Sequence, residues 1–259
     1  MDQFDYDPGP PVAVAAHLRA LPDYGSFKEF FWYDWGPIFY RGRLDGTAEV
    51  ICVASDPGPT ERIAGRTLVG DAGQRVQGFL SKIGLSRSYV CLNAFAHAVF
   101  PSKADEAQPM LSLPAHLAWR NKLYDFAKGS SLQAIVAFGK QAQVAVSLWP
   151  GTAGVPVFKI PHPSSHDAQQ LATQWRAAVT RLREIVTPDA DAPVNLPNYG
   201  DELVEADYAP IPRRDLPFGA PPFLGDDAWL RASSKEFSSV KRPNPDDRHT
   251  LIWKAPKSA

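Results

Sequence analysis

The chain has 259 residues, 44% of them hydrophobic, which suffices for one large or two small domains with a real core and no covalent staples. Its 27 basic and 28 acidic residues leave a net charge of -1, so no global positive field advertises a nucleic-acid partner, and two cysteines, Cys52 and Cys91, are too few for a disulfide framework or a four-cysteine zinc or iron–sulfur site. The first residues lack a basic segment followed by an apolar core, and no apolar run could span a bilayer, so a soluble cytoplasmic protein with no membrane contact is expected.

Residues 2–11 are polar and rich in Pro and Gly, as in a loosely attached arm, and residues 12–21 read as a short Ala-rich helix ended by Pro22. An aromatic block follows: Phe27, Phe30, Phe31, Trp32, Tyr33, Trp35, Phe39 and Tyr40. Such a block can stack bases, but a strip of core or a cap over a sheet edge is the more common use. Residues 48–54 form an apolar, β-branched run that breaks into Ser55-Asp56-Pro57-Gly58, the pattern of a buried strand delivering Asp56 to a turn. The stretch Gly65-Arg66-Thr67-Leu68-Val69-Gly70-Asp71-Ala72-Gly73 has three glycines, which implies a backbone that passes close to a ligand or doubles back tightly.

Helical spacing over 74–83 ends at Gly84, and a second strand over 88–93 is apolar until its last residue, Asn93. Residues 94–101 form an apolar-lined loop. A helix over 113–128, a strand over 132–138, a helix over 140–148 and a strand over 155–160 follow, the last opening into Pro161-His162-Pro163-Ser164-Ser165-His166-Asp167. A long helix then carries Leu171, Trp175, Val179, Leu182 and Val186 as one apolar stripe.

Strands alternating with helices predict an α/β fold, a single three-layer domain whose central, mainly parallel four-stranded sheet is flanked by helices. The expected divisions are an N-terminal arm, helix and aromatic segment (1–47), an α/β core (48–186), and a Pro-rich extension (187–259) that either wraps the core through Tyr208, Phe218, Phe223, Trp229, Leu251 and Trp253 or is a mobile tail. Asp56, Asn93 and His162 end three strands at the edge where parallel sheets bind ligands. Each alone reads as a turn former, a turn amide or a satisfied core histidine; together they read as a site. No metal set, Gly-x-Ser-x-Gly elbow or Walker lysine is present.

Ser55-Asp56-Pro57 after one strand, Leu92-Asn93 at the end of the next and His162-Pro163-Ser164 after the last resemble the ordered motifs of the uracil-DNA glycosylase superfamily, over residues 48–186. The segment from Gly65 to Gly73 is similar to the Gly-Arg-x-Phe-Val-Gly-x-Ala-Gly of its family 4. The chain departs from that family in lacking the cluster cysteines, and its acid resembles that of the family 1 Gln-Asp-Pro-Tyr motif. The resemblance implies a cofactor-free, monomeric enzyme that takes uracil-containing DNA. It assigns catalysis to Asp56 and His162, and base contacts to Asn93, Ser55 and Gly58, with either Leu68 or Phe95 as the surface that stacks on uracil. DNA contacts fall to Ser164, Ser165, His166 and Arg66. His166 stands where family 1 uses a leucine wedge, and Gly58 where family 1 has the tyrosine that excludes thymine. A glycosylase for hypoxanthine or a G:T mismatch, a non-catalytic nucleic-acid-binding protein and a hydrolase of free nucleotides remain as alternatives.

Overall fold

The computed structural model describes residues 6–193 and 195–220. Its centre is a five-stranded sheet, β1 (Tyr40–Gly42), β2 (Val50–Ala54), β3 (Tyr89–Asn93), β4 (Ala134–Phe138) and β5 (Val157–Ile160), in the order β1-β3-β2-β4-β5. Strands β2 to β5 are parallel, and β1 runs antiparallel to β3. The four parallel strands are those expected; β1 is a correction. It is too short to show a period, and its middle residue, Arg41, has the polarity of a loop residue yet is fully buried.

Every residue of β2, β3 and β4 is buried, as expected for strands covered on both faces. Alternate side chains point to opposite faces, so Val50, Cys52 and Ala54 meet α3 (Asp71–Lys82) and α7 (Ala168–Ile185) through Phe79, Leu80, Trp175 and Val179. Ile51 and Val53 face the other layer, α1 (Val12–Arg19), α5 (Pro114–Ala127) and α6 (Lys140–Ser147). Two short helices, α2 (Pro59–Ala64) and α4 (Ala104–Ala107), complete the set.

Much of the aromatic block forms a third core with Tyr24 and the loop after β3: Phe31, Phe27, Phe30 and Tyr33 pack with Phe95, Val99 and Met110. It is the cap over a sheet edge. Beyond α7 the chain returns across the molecule, burying Tyr199, Asp207, Ile211, Asp215 and Leu216. Phe218, an expected anchor, is 82% exposed; Phe223, Trp229, Leu251 and Trp253 lie outside the described residues. The arm is tied rather than loose at Asp7, whose amide donates to the Leu216 carbonyl at 2.8 Å.

One polar cluster crosses this core. The Arg41 guanidinium donates to Asp215 Oδ2 at 2.8 Å and Gln77 Oε1 at 2.7 Å, while the Tyr89 hydroxyl donates to the same Asp215 oxygen at 2.7 Å. A buried cation is tolerable only when paired and hydrogen-bonded, and residues far apart in sequence meet that condition here. Among the described residues no helix is long and apolar enough to cross a membrane.

Candidate active site

The chain leaves β2 for β3 on one side and later crosses to β4 on the other, so the sheet's topological switch lies at β2. The crevice outside the carboxyl end of such a strand is where open α/β sheets hold ligands. Asp56 stands there, half-buried, its Oδ2 accepting from the Val99 amide at 2.9 Å. Burial pushes its carboxyl up to about 6, and the nearby Glu61 charge adds to the rise, against hydrogen bonds from the Ser55 side chain and the Val99 amide.

The register pairs Ala54 with Asn93, and the ladder continues as the Ala94 and Phe95 amides donate to the Ala54 and Ser55 carbonyls at 2.9 Å each. Asn93 is therefore held beside the Asp56 turn. Its main-chain oxygen accepts from the Tyr124 hydroxyl at 3.1 Å. The side-chain amide is different: buried, with neither Oδ1 nor Nδ2 finding a hydrogen-bond partner. An orphaned buried amide costs about 1–3 kcal/mol per unsatisfied group, a cost that a ligand with matching donor and acceptor would relieve.

His162 follows β5. A Cβ on Gly139, at the end of β4, would lie 2.9 Å from the His162 Cβ, so only glycine admits the histidine this close. The Ser164 amide donates to His162 Nδ1 at 3.2 Å, which leaves the ring proton on Nε2. Burial, aided by the Arg75 charge, holds the imidazole down to about 4, so it is neutral at physiological pH. Arg75 also donates to the Pro163 carbonyl at 2.6 Å and fixes the turn.

Glu61 escaped the reading of the sequence. Its Oε2 accepts from the Gly58 amide at 2.9 Å and its Oε1 from the amides of Val69 and Gly70 at 2.8 Å each, clamping the Asp56 turn to the glycine-rich loop. The Gly-Pro-x-Glu pattern at a helix start was the available signal. In that loop Leu68 has φ +51, a strained conformation for a branched residue, and a Cβ on Gly73 would sit 1.8 Å from the Leu68 carbonyl oxygen. The glycines therefore serve a backbone that doubles back.

Both side chains expected to stack on the base are buried, Leu68 against the α3 and α7 layer and Phe95 edge-on to Phe31 with centroids 5.4 Å apart. Of the expected DNA contacts, Ser164 and His166 are exposed and Ser165 is half-buried. The α7 N-terminus carries its own acidic cap, Asp167 Oδ1 accepting from the Gln170 amide at 2.8 Å. Arg66 does not project freely: it is paired to Asp7 at 2.6 Å and lies over the Tyr40 ring. Cys52 and Cys91 are buried free thiols in register on β2 and β3. Among the described residues, no group of three or more His, Cys, Asp or Glu could hold a metal. A cavity of about 440 Å³ opens at the opposite edge, between Tyr6, Arg43, Arg87 and Arg214, and touches none of these site residues.

Asp56, Asn93 and His162 thus all stand at the carboxyl edge of the parallel strands of an α/β sheet. The family model of the uracil DNA glycosylase superfamily matches residues 42–182, more than half of the chain, and the chain belongs to that superfamily. No curated protein matches it. Among solved structures, the wild-type UNG of Nitratifractor salsuginis is similar at 12% identity, covering 69% of this chain and 99% of its own, with a TM-score of 0.31.

Proposed function

We propose that the chain is a DNA repair glycosylase that flips uracil out of DNA, hydrolyses its N-glycosidic bond and leaves an abasic site. The observation that carries this reading is the buried, unpartnered amide of Asn93 beside the Asp56 turn. Uracil presents N3–H to an acceptor and O4 to a donor, and one amide supplies both; cytosine reverses both groups.

In this reading the bond between sugar C1′ and uracil N1 breaks with its electron pair going to the base. The His162 Nε2–H donates to uracil O2 as that charge develops, and a neutral imidazole suits the task because it need not lose a proton. Asp56, ionised above about pH 6, faces the positive sugar and orients the water whose oxygen adds to C1′. The water gives up a proton, the base takes one up, and no cofactor enters the balance.

Single-turnover release of uracil from a uracil-containing oligonucleotide tests the assignment, with hypoxanthine and G:T substrates run beside it. Asn93→Asp should release cytosine where the unmodified chain does not, since an acid can accept from an exocyclic amine. His162→Ala should slow uracil release by roughly 10²- to 10³-fold, the usual loss for an oxyanion donor. Unchanged base selectivity in Asn93→Asp would move the reading role elsewhere.

A further inference from the structure

The aromatic block divides in two. Phe31 and Tyr40 are core, but Trp32 is 42% exposed and stacks on the half-buried Trp35 with centroids 5.2 Å apart and planes 16° from parallel. Phe100, from the loop after β3, meets the Trp32 ring at 4.3 Å. An indole left this exposed gains little from core burial, so packing alone does not account for this tier of rings.

Its position is fixed relative to Asp56 by a single peptide. The Trp32 amide donates to the Ala98 carbonyl at 2.8 Å, and the amide of that same peptide unit, at Val99, donates to Asp56 Oδ2 at 2.9 Å. The backbone that carries Trp32 is therefore tied to the Asp56 end of the site. Cations alternate with the rings: Arg62 lies over Trp35 at 5.3 Å, Lys103 over Phe30 at 5.7 Å and Lys28 over Tyr33 at 4.9 Å. Lys28 and Lys103 are shared with Asp23 and Glu106, and Glu29 and Asp34 are exposed on the same segment, so among the described residues the exposed Arg62 is the principal positive charge at these rings without an acidic partner.

We propose that Trp32, Trp35 and Phe100, with Arg62 at their rim, form a stacking platform for unpaired nucleotides flanking the flipped uracil. Aromatic faces interleaved with cations are how proteins hold single strands without reading sequence, because every base has a π face. The platform rests on the uracil reading of the Asp56 site, and it implies a preference for single-stranded substrate.

The test uses the full chain and two uracil substrates, a long single strand and a trinucleotide. Trp32→Ala and Trp35→Ala should each raise KM on the long strand about fivefold or more, with a much smaller change on the trinucleotide. Trp32→Phe should restore most of the loss, and Phe218→Ala, an exposed ring outside the platform, should change neither. Unaltered KM on the long strand, or equal losses on both substrates, would overturn the platform. In parallel, oligothymidylate should quench indole emission in the unmodified chain, with a Kd at least fivefold weaker in Trp32→Ala. If the unmodified chain releases no base, the uracil reading is lost while that titration still judges the platform: an unchanged Kd, or no quenching at all, rejects it.

Discussion

Asp56 and His162 are displaced from their ordinary pKa values in opposite directions by the same cause, burial, and this gives the site a one-sided pH dependence. Asp56 loses its charge below about 6, whereas His162 remains neutral down to about 4. The single-turnover rate should therefore fall about tenfold per pH unit below about pH 6, with a flat profile above about pH 7; a rate that held level down to pH 5 would remove Asp56 from the mechanism. The stability linkage has its own sign. A carboxyl raised in the folded state favours folding fully below its unfolded value of 3.8, and that contribution is lost as pH rises through about 6. Asp56→Asn should therefore be the more stable protein at pH 7, by about 3 kcal/mol at most, with the difference fading below about pH 4 in urea titrations. His97 and His162, both held down to about 4, act in reverse and weaken the fold as pH drops below 6.5. The three strand-end residues were legible because each interrupts an apolar run. Glu61 and Arg75 were not, since the contacts that bring them to the site, Glu61 to the Val69 and Gly70 amides and Arg75 to the Pro163 carbonyl, join separate turns of the chain. The pairing of Arg66 was equally hidden, because its partner, Asp7, lies 59 residues earlier.

The glycine-rich loop shows how much one helix start can control. Helix α3 begins at Asp71, three residues before the apolar spacing announces it, because Gly70 occupies the N-cap position and Gly73 abuts the strained Leu68 turn. Alanine in a helix ordinarily gains about 1 kcal/mol over glycine. Gly73→Ala should instead lose about 2 kcal/mol or more, since its methyl group must displace the Leu68 carbonyl, and base release should slow as the loop clamped by Glu61 shifts. Gly78→Ala is the matched control: its Cβ would meet the Asp207 carbonyl oxygen at 1.8 Å, also on α3. It should destabilise in chemical denaturation but leave the single-turnover rate of the folded fraction intact; a slowed rate in both would mean that the loop has no special role. Helix α7 could be read from sequence by its long apolar stripe, and β2 by an unbroken apolar run that ends at a turn. The short elements could not: β1 has three residues, and α2 a single turn and a half.

The whole molecule is closed by its latest described segment, because Asp215 supplies the counter-charge that lets Arg41 lie inside the sheet layer. Arg41→Met should cost about 3–5 kcal/mol by stranding the Asp215 carboxylate, whereas pairing it with Asp215→Leu should recover most of that loss, as measured by urea unfolding of both variants. A double variant no better than the single one would show that the pair does not act as a unit. A wrapping extension was one of two readings of the sequence, but its tie through Asp215 was not legible, because Arg41 reads as a loop residue and residues beyond Thr187 show no period. That tie also sets an order of events during synthesis. The ribosome delivers Arg41 174 residues before its partner, and until then burying the guanidinium would leave an uncompensated charge. Strand β1 thus docks late, and the nascent protein carries β3 as an open edge with unpaired backbone groups for most of its emergence. The same ion pair that stabilises the finished fold leaves its precursor exposed to pairing with neighbouring chains.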